Sequence, residues 1–586
     1  MSSTLAPATV APPQPRFTKR YGDLGEGKTN GVTYTPKLLA DFVAEQIANA
    51  ASLEVSSTPL RILDPAVGDG ELLLSLLNVL VARSHHSFTV YGFDTSKSAL
   101  DRTQQRLSTT FPQTDLHLTH DSFLNFVAGY AVDDGITLFP QPAAPRFDLI
   151  IANPPYVRTQ IIGADAARRL GECFGLTGRV DLYHAFLIAM GQVLTPKGTA
   201  GIIVSNRFMT TRGGASVRSA LKARLALRHI WDLGDTKLFD AAVLPAVILA
   251  NGRSASSPAQ AHFTSIYETD HSPNLEASTP IAALAQSGIV QLSDMRRFRV
   301  QHGRLEDKGP SSDIWRLSTD AGDAWLACVL AHSWGTFRDL GKVRVGVKTC
   351  ADRVFIRSDW EDMAQRPELL RPLTTHHIAR SFRATRSATS TNILYPHESA
   401  DGRRRPVDLR QYPNANAYLE EHRAVLEARG YVTASGRRWY EIWVPQDPAA
   451  WNAPKLVFRD ISERPTFWID LDGTVVNGDC YWLVAKHRDQ ESLLWLAAAV
   501  ANSTFAEAFY DHRFNNKLYS GRRRFITQYV EEFPLPDPTT NLSQDIIALA
   551  QSIFAELETA TEARPLVQQL DEMIWDAFGL IKEFRG

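Results

Sequence analysis

The sequence predicts a doubly wound α/β fold for its first half, built on a mixed, mostly parallel sheet. A mixed α+β region and a C-terminal helical hairpin are expected to follow. Three observations carry this. Between Pro59 and about Ala250, short aliphatic or β-branched runs alternate with segments of helical spacing, the mark of βαβ units. Around Asn251–Pro258 the chain turns small and polar, and the alternation then gives way to Trp, Arg, Pro and Gly clusters. From Leu542 to Phe584, apolar residues return every three or four positions, as in an amphipathic helical pair.

The elements can be justified in order. Met1 to about Pro15 is rich in Ala, Pro, Ser and Thr and lacks a basic segment followed by an apolar one, so residues 1–30 are expected to be a flexible arm rather than a secretory signal. Strands are predicted at Leu60–Leu63, Thr89–Phe93, Asp115–Leu118, Phe147–Ile151, Thr199–Val204, Arg228–Trp231 and Ala246–Leu249. Helices are predicted at Glu71–Ala82, Ser96–Leu107, Leu182–Leu194 and Gly213–Arg224. The expected division is an arm at 1–30, a first domain at 31–255, a second at 256–540 and a helical segment at 541–586.

Composition narrows the functional classes. At about 100–200 residues per domain, 586 residues imply more than one domain, which argues against a lone small binding module. Sixty-two Lys and Arg against 64 Asp and Glu leave a formal net charge of −2, so charge has to be read locally. The longest apolar runs fall short of the roughly 20 residues that span a bilayer, and no membrane partner is expected. Cys173, Cys328, Cys350 and Cys480 are too scattered for a metal-ligand pair or a disulfide framework, which fits a cytoplasmic location.

The strongest motif is Asn153-Pro154-Pro155-Tyr156, directly after the strand run Phe147–Ile151. Consecutive prolines end the strand and fix a turn just beyond its carboxyl end, where open α/β sheets bind ligands. The Asn153 side-chain oxygen and the Pro154 carbonyl can both accept hydrogen bonds, which suits an NH2 group with two donors, and Tyr156 offers a flat face to a planar base. Two acceptors on an aromatic amine favour a pyramidal nitrogen and develop its lone pair towards an electrophile. A second motif, Asp64-Pro65-Ala66-Val67-Gly68-Asp69-Gly70, joins a strand end to a helix start. Gly68 and Gly70 let backbone approach a ligand closely, and the helix offers free N–H groups. No Gly-Lys-Ser/Thr follows, so this is not a P-loop. Asp94 ends the next strand, placed to accept from ribose hydroxyls. His120-Asp121-Ser122-Phe123 ends a third, where Asp121 could accept from an adenine amine and Phe123 could stack.

Taken in order, Thr33–Ala40, Asp64–Gly70, Asp94, Asp121 and Asn153–Tyr156 resemble the motifs of the gamma-class adenine-N6 DNA methyltransferases of type II restriction-modification systems. The resemblance implies a Rossmann-like class I methyltransferase fold. It also implies S-adenosylmethionine as cofactor, held by Thr35, Asp64, Pro65, Ala66, Gly68, Gly70, Asp94, Asp121, Ser122 and Phe123. Asn153, Pro154, Pro155 and Tyr156 would act on an adenine rotated out of duplex DNA. Asp181–Phe186 and Gly201–Phe208 are similar to later family segments. Lys237-Leu238-Phe239 is similar to the position whose aromatic ring packs on the flipped base. No metal is implied.

Arg380–Tyr440 holds eleven Arg and no Lys against six carboxylates, a local excess of five positive charges. Arg403, Arg404, Arg405, Arg437 and Arg438, with Arg522, Arg523 and Arg524 further on, are the expected DNA contacts, since Arg serves both phosphate clamping and guanine reading. Segments Pro454–Phe458, Phe467–Asp470 and Phe533–Pro536 are similar to the recognition regions of larger type II enzymes. Fewer than thirty-five residues precede Thr35, too few for a fused nuclease, so any cognate endonuclease is expected to be a separate chain. Two other readings stay open: a methyltransferase acting on RNA or a protein amide, and a non-catalytic DNA-binding specificity subunit.

Overall fold

The computed structural model describes residues 35–52, 58–85, 87–129, 145–156, 164–176, 181–239, 244–253, 260–307, 314–385, 391–514, 518 and 522–580. The expected arm at 1–30, the polar stretch at 254–259 and the last residues of the terminal helical segment lie outside them.

In chain order the first half contains α1 (Lys37–Ala50), β1 (Leu60–Asp64), α2 (Glu71–Ala82), β2 (Phe88–Asp94), α3 (Lys97–Thr110), β3 (Asp115–His120) and α4 (Phe123–Ala128). It continues with β4 (Phe147–Ala152), α5 (Ala164–Phe174), α6 (Leu182–Val193), β5 (Leu194–Ser205), α7 (Ala215–Arg224), β6 (Leu225–Asp232) and β7 (Pro245–Gly252). Strands β3, β2, β1, β4 and β5 pair in parallel in that order, and β7 enters antiparallel between β5 and β6. Order turns around β1, since the chain runs outward to β3 and then returns to β4 on its other side. The carboxyl ends of β1 and β4 thus flank the switch point, where open α/β sheets bind ligands. β4 is buried along nearly its whole length, which accounts for its unbroken Leu-Ile-Ile-Ala run.

Two cores flank the sheet. One joins Leu63, Ile150 and Ile202 to Tyr183, Phe186 and Met190 of α6. The other joins Ile62, Leu149 and Ile151 to Leu39, Val43 and Ile47 of α1 and Leu73 and Leu76 of α2. Gly201 lets α1 lie against β5, because a Cβ there would stand 2.7 Å from side-chain carbons of Val43 and Ile47.

The expected boundary at 255 is corrected. The sheet carries on through β8 (His262–Glu268), β9 (Leu275–Ala277), β10 (Gly288–Leu292), β11 (Arg297–Glu306) and β12 (Arg316–Ser318), with β8 pairing parallel to β6. Among the described residues twelve strands form one sheet, whose last strand in chain order is β12.

Beyond it lies an α+β region. Gly341–Val345, Cys480–Ala485, Lys455–Arg459 and Phe467–Asp470 form a four-stranded antiparallel sheet. The terminal helices Asn541–Glu556 and Arg564–Ala577 share a core with helices Asp320–Ala331 and Leu493–Ala501, so they complete this region rather than append to it. Gln528 Nε2 and the Tyr529 hydroxyl both donate to the Thr210 carbonyl, at 2.9 and 3.2 Å, tying this region to the segment after β5. Among the described residues no helix is long and apolar enough to cross a membrane.

Candidate active site

The turn after β1 is shaped by glycine. Gly68 and Gly70 adopt φ of 54° and 81°, the left-handed region that glycine enters without strain. Its backbone is fastened to β2: Val67 N–H donates to the Phe93 carbonyl at 2.9 Å and Gly68 N–H to Asp94 Oδ2 at 3.0 Å. The close approach needs Gly92 beneath it, where a Cβ would stand 2.5 Å from Val67 Cγ1. Asp94 Oδ1 accepts from Ser96 N–H at 2.8 Å, so this carboxylate bridges the turn and the start of α3 and keeps lone pairs for a ligand.

Asp64 is fully buried at the end of β1. One carboxyl oxygen accepts from Ala66 N–H at 3.0 Å, and the other has no hydrogen-bond partner among the described residues. Burial, with smaller contributions from Asp94 and Asp69, pushes its pKa up to about 7. Just past β3, Asp121 is exposed; the Asn125 amide and the Ser122 N–H hold its carboxyl below the usual carboxylate range.

Asn153 stands half-buried just past β4. Its Nδ2 donates to Thr35 Oγ1 and its Oδ1 accepts from the Tyr156 hydroxyl, both at 3.0 Å. The Tyr156 ring is backed edge-on by Tyr183 of α6, with centroids 5.8 Å apart. These groups meet in a cavity of about 330 Å³ at the carboxyl edge of the sheet. That volume lies within the roughly 300–1,000 Å³ of small-molecule sites.

The cavity brings together Thr35, Pro65, Ala66, Gly68, Asp94, Asp121, Ser122, Phe123, Asn153, Pro154, Pro155 and Tyr156, all singled out from sequence. Asp64 and Gly70 lie just behind its wall as supports of the turn. Phe123 is 0% exposed and forms the wall with Phe186, at a centroid distance of 6.0 Å, so little of its face is open for stacking. Phe239 requires a correction: it is 6% exposed, packs in the core on the α1 side with Trp231 and Val247, and does not line the cavity. Sequence reasoning did not single out Thr95, Ser96, Leu182 or Phe186 for the site. Leu182 and Phe186 are one helical turn apart on α6, and that i, i+4 spacing was the available signal.

The arginines divide. Arg523 makes a two-pronged pair with Asp511 at 2.8 and 2.9 Å and also approaches Glu507, and Arg524 pairs with Asp460 at 3.0 and 3.2 Å. Arg437 donates to the carbonyls of Ile442 and Trp443 and lies over the Trp443 ring. Arg523 is thus largely enclosed by its partners, whereas Arg524 and Arg437 are part-exposed and spend only some of their guanidinium donors within the fold. Arg438 donates to the Tyr440 hydroxyl at 2.7 Å, and Arg522 is exposed. Arg403, Arg404 and Arg405 are all exposed on one strand of a hairpin, His397–Ala400 with Arg403–Pro406. Its two-residue turn has positive φ at Asp401 and Gly402, the geometry that matches strand twist.

A doubly wound sheet with this cavity at its switch point defines the class I methyltransferase architecture. Residues 88–239 match the Eco57I restriction-modification methylase family, and residues 411–535 match the TaqI-like C-terminal specificity domain. The chain is 36% identical to the type II methyltransferase M.BanIII of Aneurinibacillus aneurinilyticus, over 94% of this chain and 97% of the relative. It is 25% identical to M.XhoI of Xanthomonas vasicola, over 86% and 91%. The fold is similar to that of the type IIL restriction-modification enzyme MmeI, with a TM-score of 0.58 at 13% identity over 89% of this chain and 70% of that one. The chain belongs to the type II methyltransferases of restriction-modification systems, and it is therefore a DNA methyltransferase.

Proposed function

We propose that this protein methylates the N6 amine of one adenine within a specific duplex DNA sequence, using S-adenosylmethionine, after that base has been turned out of the helix. The observation that carries the reading is the shared cavity: Asn153 and Pro154 line the same 330 Å³ space as the Gly68 turn and Asp94.

The donor set fits a nucleoside bearing an amino acid. Asp94 suits ribose hydroxyls and Asp121 suits an adenine amine, while the turn from Pro65 to Asp69, supported from behind by Asp64, suits the amino-acid end. When bound, the cofactor supplies a sulfonium methyl, an electrophile that leaves a neutral thioether. The chain's own residues do the rest. Asn153 Oδ1, which accepts from the Tyr156 hydroxyl at 3.0 Å, is the acceptor we assign to the substrate amine. A second acceptor at the Pro154 carbonyl takes the other N–H, and Tyr156, braced by Tyr183, gives the base a flat support. Held in this way, the amine would present its lone pair to that methyl, with the thioether as leaving group and the extra N6 proton passing to water. Proximity and orientation supply much of the acceleration.

For DNA, we assign the exposed Arg403–Arg405 hairpin to the phosphate backbone; it precedes the matched specificity domain at 411–535. Modification is taken to protect host DNA against an endonuclease carried on another chain, in the cytoplasm. The test is incubation with labelled cofactor and duplex DNA followed by nucleoside analysis. Label on N6-methyladenine is expected; label on cytosine, on RNA or on protein would replace this reading.

A further inference from the structure

We propose that Thr35 is a positioning residue: it sets which end of the Asn153 amide faces the substrate amine, and a carboxylate bound in the cavity locks that choice. The inference rests on the methyl-transfer reading above.

A carboxamide is nearly symmetrical in shape but opposite in hydrogen-bonding sense at its two ends. Only the oxygen end can accept from an amine; reversed, its NH2 would face another NH2. Thr35 Oγ1 accepts from Asn153 Nδ2 at 3.0 Å, across 118 residues of sequence, and the Tyr156 hydroxyl donates to Asn153 Oδ1 at 3.0 Å. A threonine hydroxyl can donate as well as accept, so these two hydrogen bonds alone would tolerate the reversed amide. The balance tips once the Thr35 proton is committed elsewhere. Among the described residues its partner is Asn153, and Thr35 lines the cavity, so the proton is available to an anion there. The carboxylate of an amino-acid-bearing cofactor is that anion.

With it bound, the donors run in one direction. Tyr156 donates to Asn153, Asn153 to Thr35, and Thr35 to the carboxylate. The Thr35 oxygen is left with lone pairs only, and the reversed amide loses its partner. Cofactor occupancy thereby prepares the site for the base. The helix that follows Thr35 is held to α2, since Ser75 donates to the Asp41 carboxylate at 2.7 Å.

The test compares wild type, Thr35→Val and Thr35→Ser. Three quantities are measured: single-turnover transfer at saturating cofactor, cofactor affinity by calorimetry, and preference for adenine over purine at the target position of a duplex. The last uses a non-reactive cofactor analogue that keeps the carboxylate. Thr35→Val should slow transfer about 10- to 100-fold even at saturation and reduce the adenine preference about tenfold, the scale of one hydrogen bond removed from a coupled set. Thr35→Ser should restore both to within about threefold. Full recovery of Thr35→Val at saturating cofactor would make Thr35 a cofactor ligand only, and equal defects in Val and Ser would make it a matter of shape. Either result overturns the proposal. A wild-type protein that leaves adenine unmethylated would instead sink the functional reading, independently of Thr35.

Discussion

Replacing Asn153 by alanine separates chemistry from scaffolding. The substitution removes, among others, the 3.0 Å hydrogen bonds to Thr35 and from Tyr156, at a half-buried position. At about 0.5–1.5 kcal/mol net for each, the stability cost is about 1–3 kcal/mol, a melting shift of no more than several degrees. The chemical cost is larger. One of two preorganised acceptors disappears from the reacting nitrogen, and loss of a single such group from a polar transition-state site typically lowers the rate about 10²–10³-fold. Neither Asp94 nor the Gly68 turn is touched by Asn153 in the hydrogen bonds described, so cofactor affinity should stay within a few-fold of wild type. Single-turnover methylation with labelled cofactor, calorimetry and thermal melting on the same preparation measure all three. Transfer slowed by less than about tenfold, or cofactor affinity falling in step with the rate, would refute the assignment of Asn153 as the acceptor.

Other outcomes follow from the same geometry. Alanine at Arg403, Arg404 and Arg405 together should lower the salt dependence of DNA binding by about 0.9 in logarithmic slope for each phosphate no longer neutralised, leaving melting unchanged; an unaltered slope would remove the hairpin from the interface. Arg523→Ala should do the reverse, costing about 2–4 kcal/mol by removing the two-pronged pair with Asp511 and the nearer cation of Glu507 while the salt slope holds, because its side chain is 11% exposed. Asp64 gives a pH signature. Its carboxyl, at about 7 in the folded protein against 3.8 when unfolded, binds its proton more tightly when folded. Its stabilising contribution is therefore complete below about pH 4 and is lost as pH rises through 7, at up to about 1.4 kcal/mol per pH unit. Denaturation of wild type and Asp64→Asn at pH 5 and pH 8 should show the wild-type advantage shrinking with pH; a flat or growing difference would contradict the burial of that charge.

The site was legible because its chemistry sits in short contiguous motifs at strand ends. Asp64, Asp94, Asp121 and Asn153 each close or follow one of the strands β1 to β4, which pair in parallel, so their carboxyl ends fall on one edge of the sheet. The helix Glu71–Ala82 is found as the spacing predicts it, bounded by left-handed Gly70. What could not be read depends on distant partners. The sheet passes the expected boundary because β8 to β12 pair mostly antiparallel without intervening long helices, so the βαβ signature disappears while the hydrogen bonding continues. Arg523 and Arg403 look alike in sequence. One is enclosed by Asp511 and Glu507 and the other stands on an exposed hairpin, a distinction set by folding. Phe239 follows a loop signal that fixes no face, and it lies in the core on the other side of the sheet from Tyr156.

The central claim, a fixed pair of oxygen acceptors presenting one adenine amine to an electrophilic methyl, is tested most directly in cells. DNA from a host lacking adenine methylation but expressing this protein should carry N6-methyladenine at a single sequence, and soon after induction DNA from the Asn153→Ala strain should carry those marks at a small fraction of the wild-type level. Methylation of another base, or adenine marks that accumulate at the wild-type rate in the Asn153→Ala strain, would contradict the account.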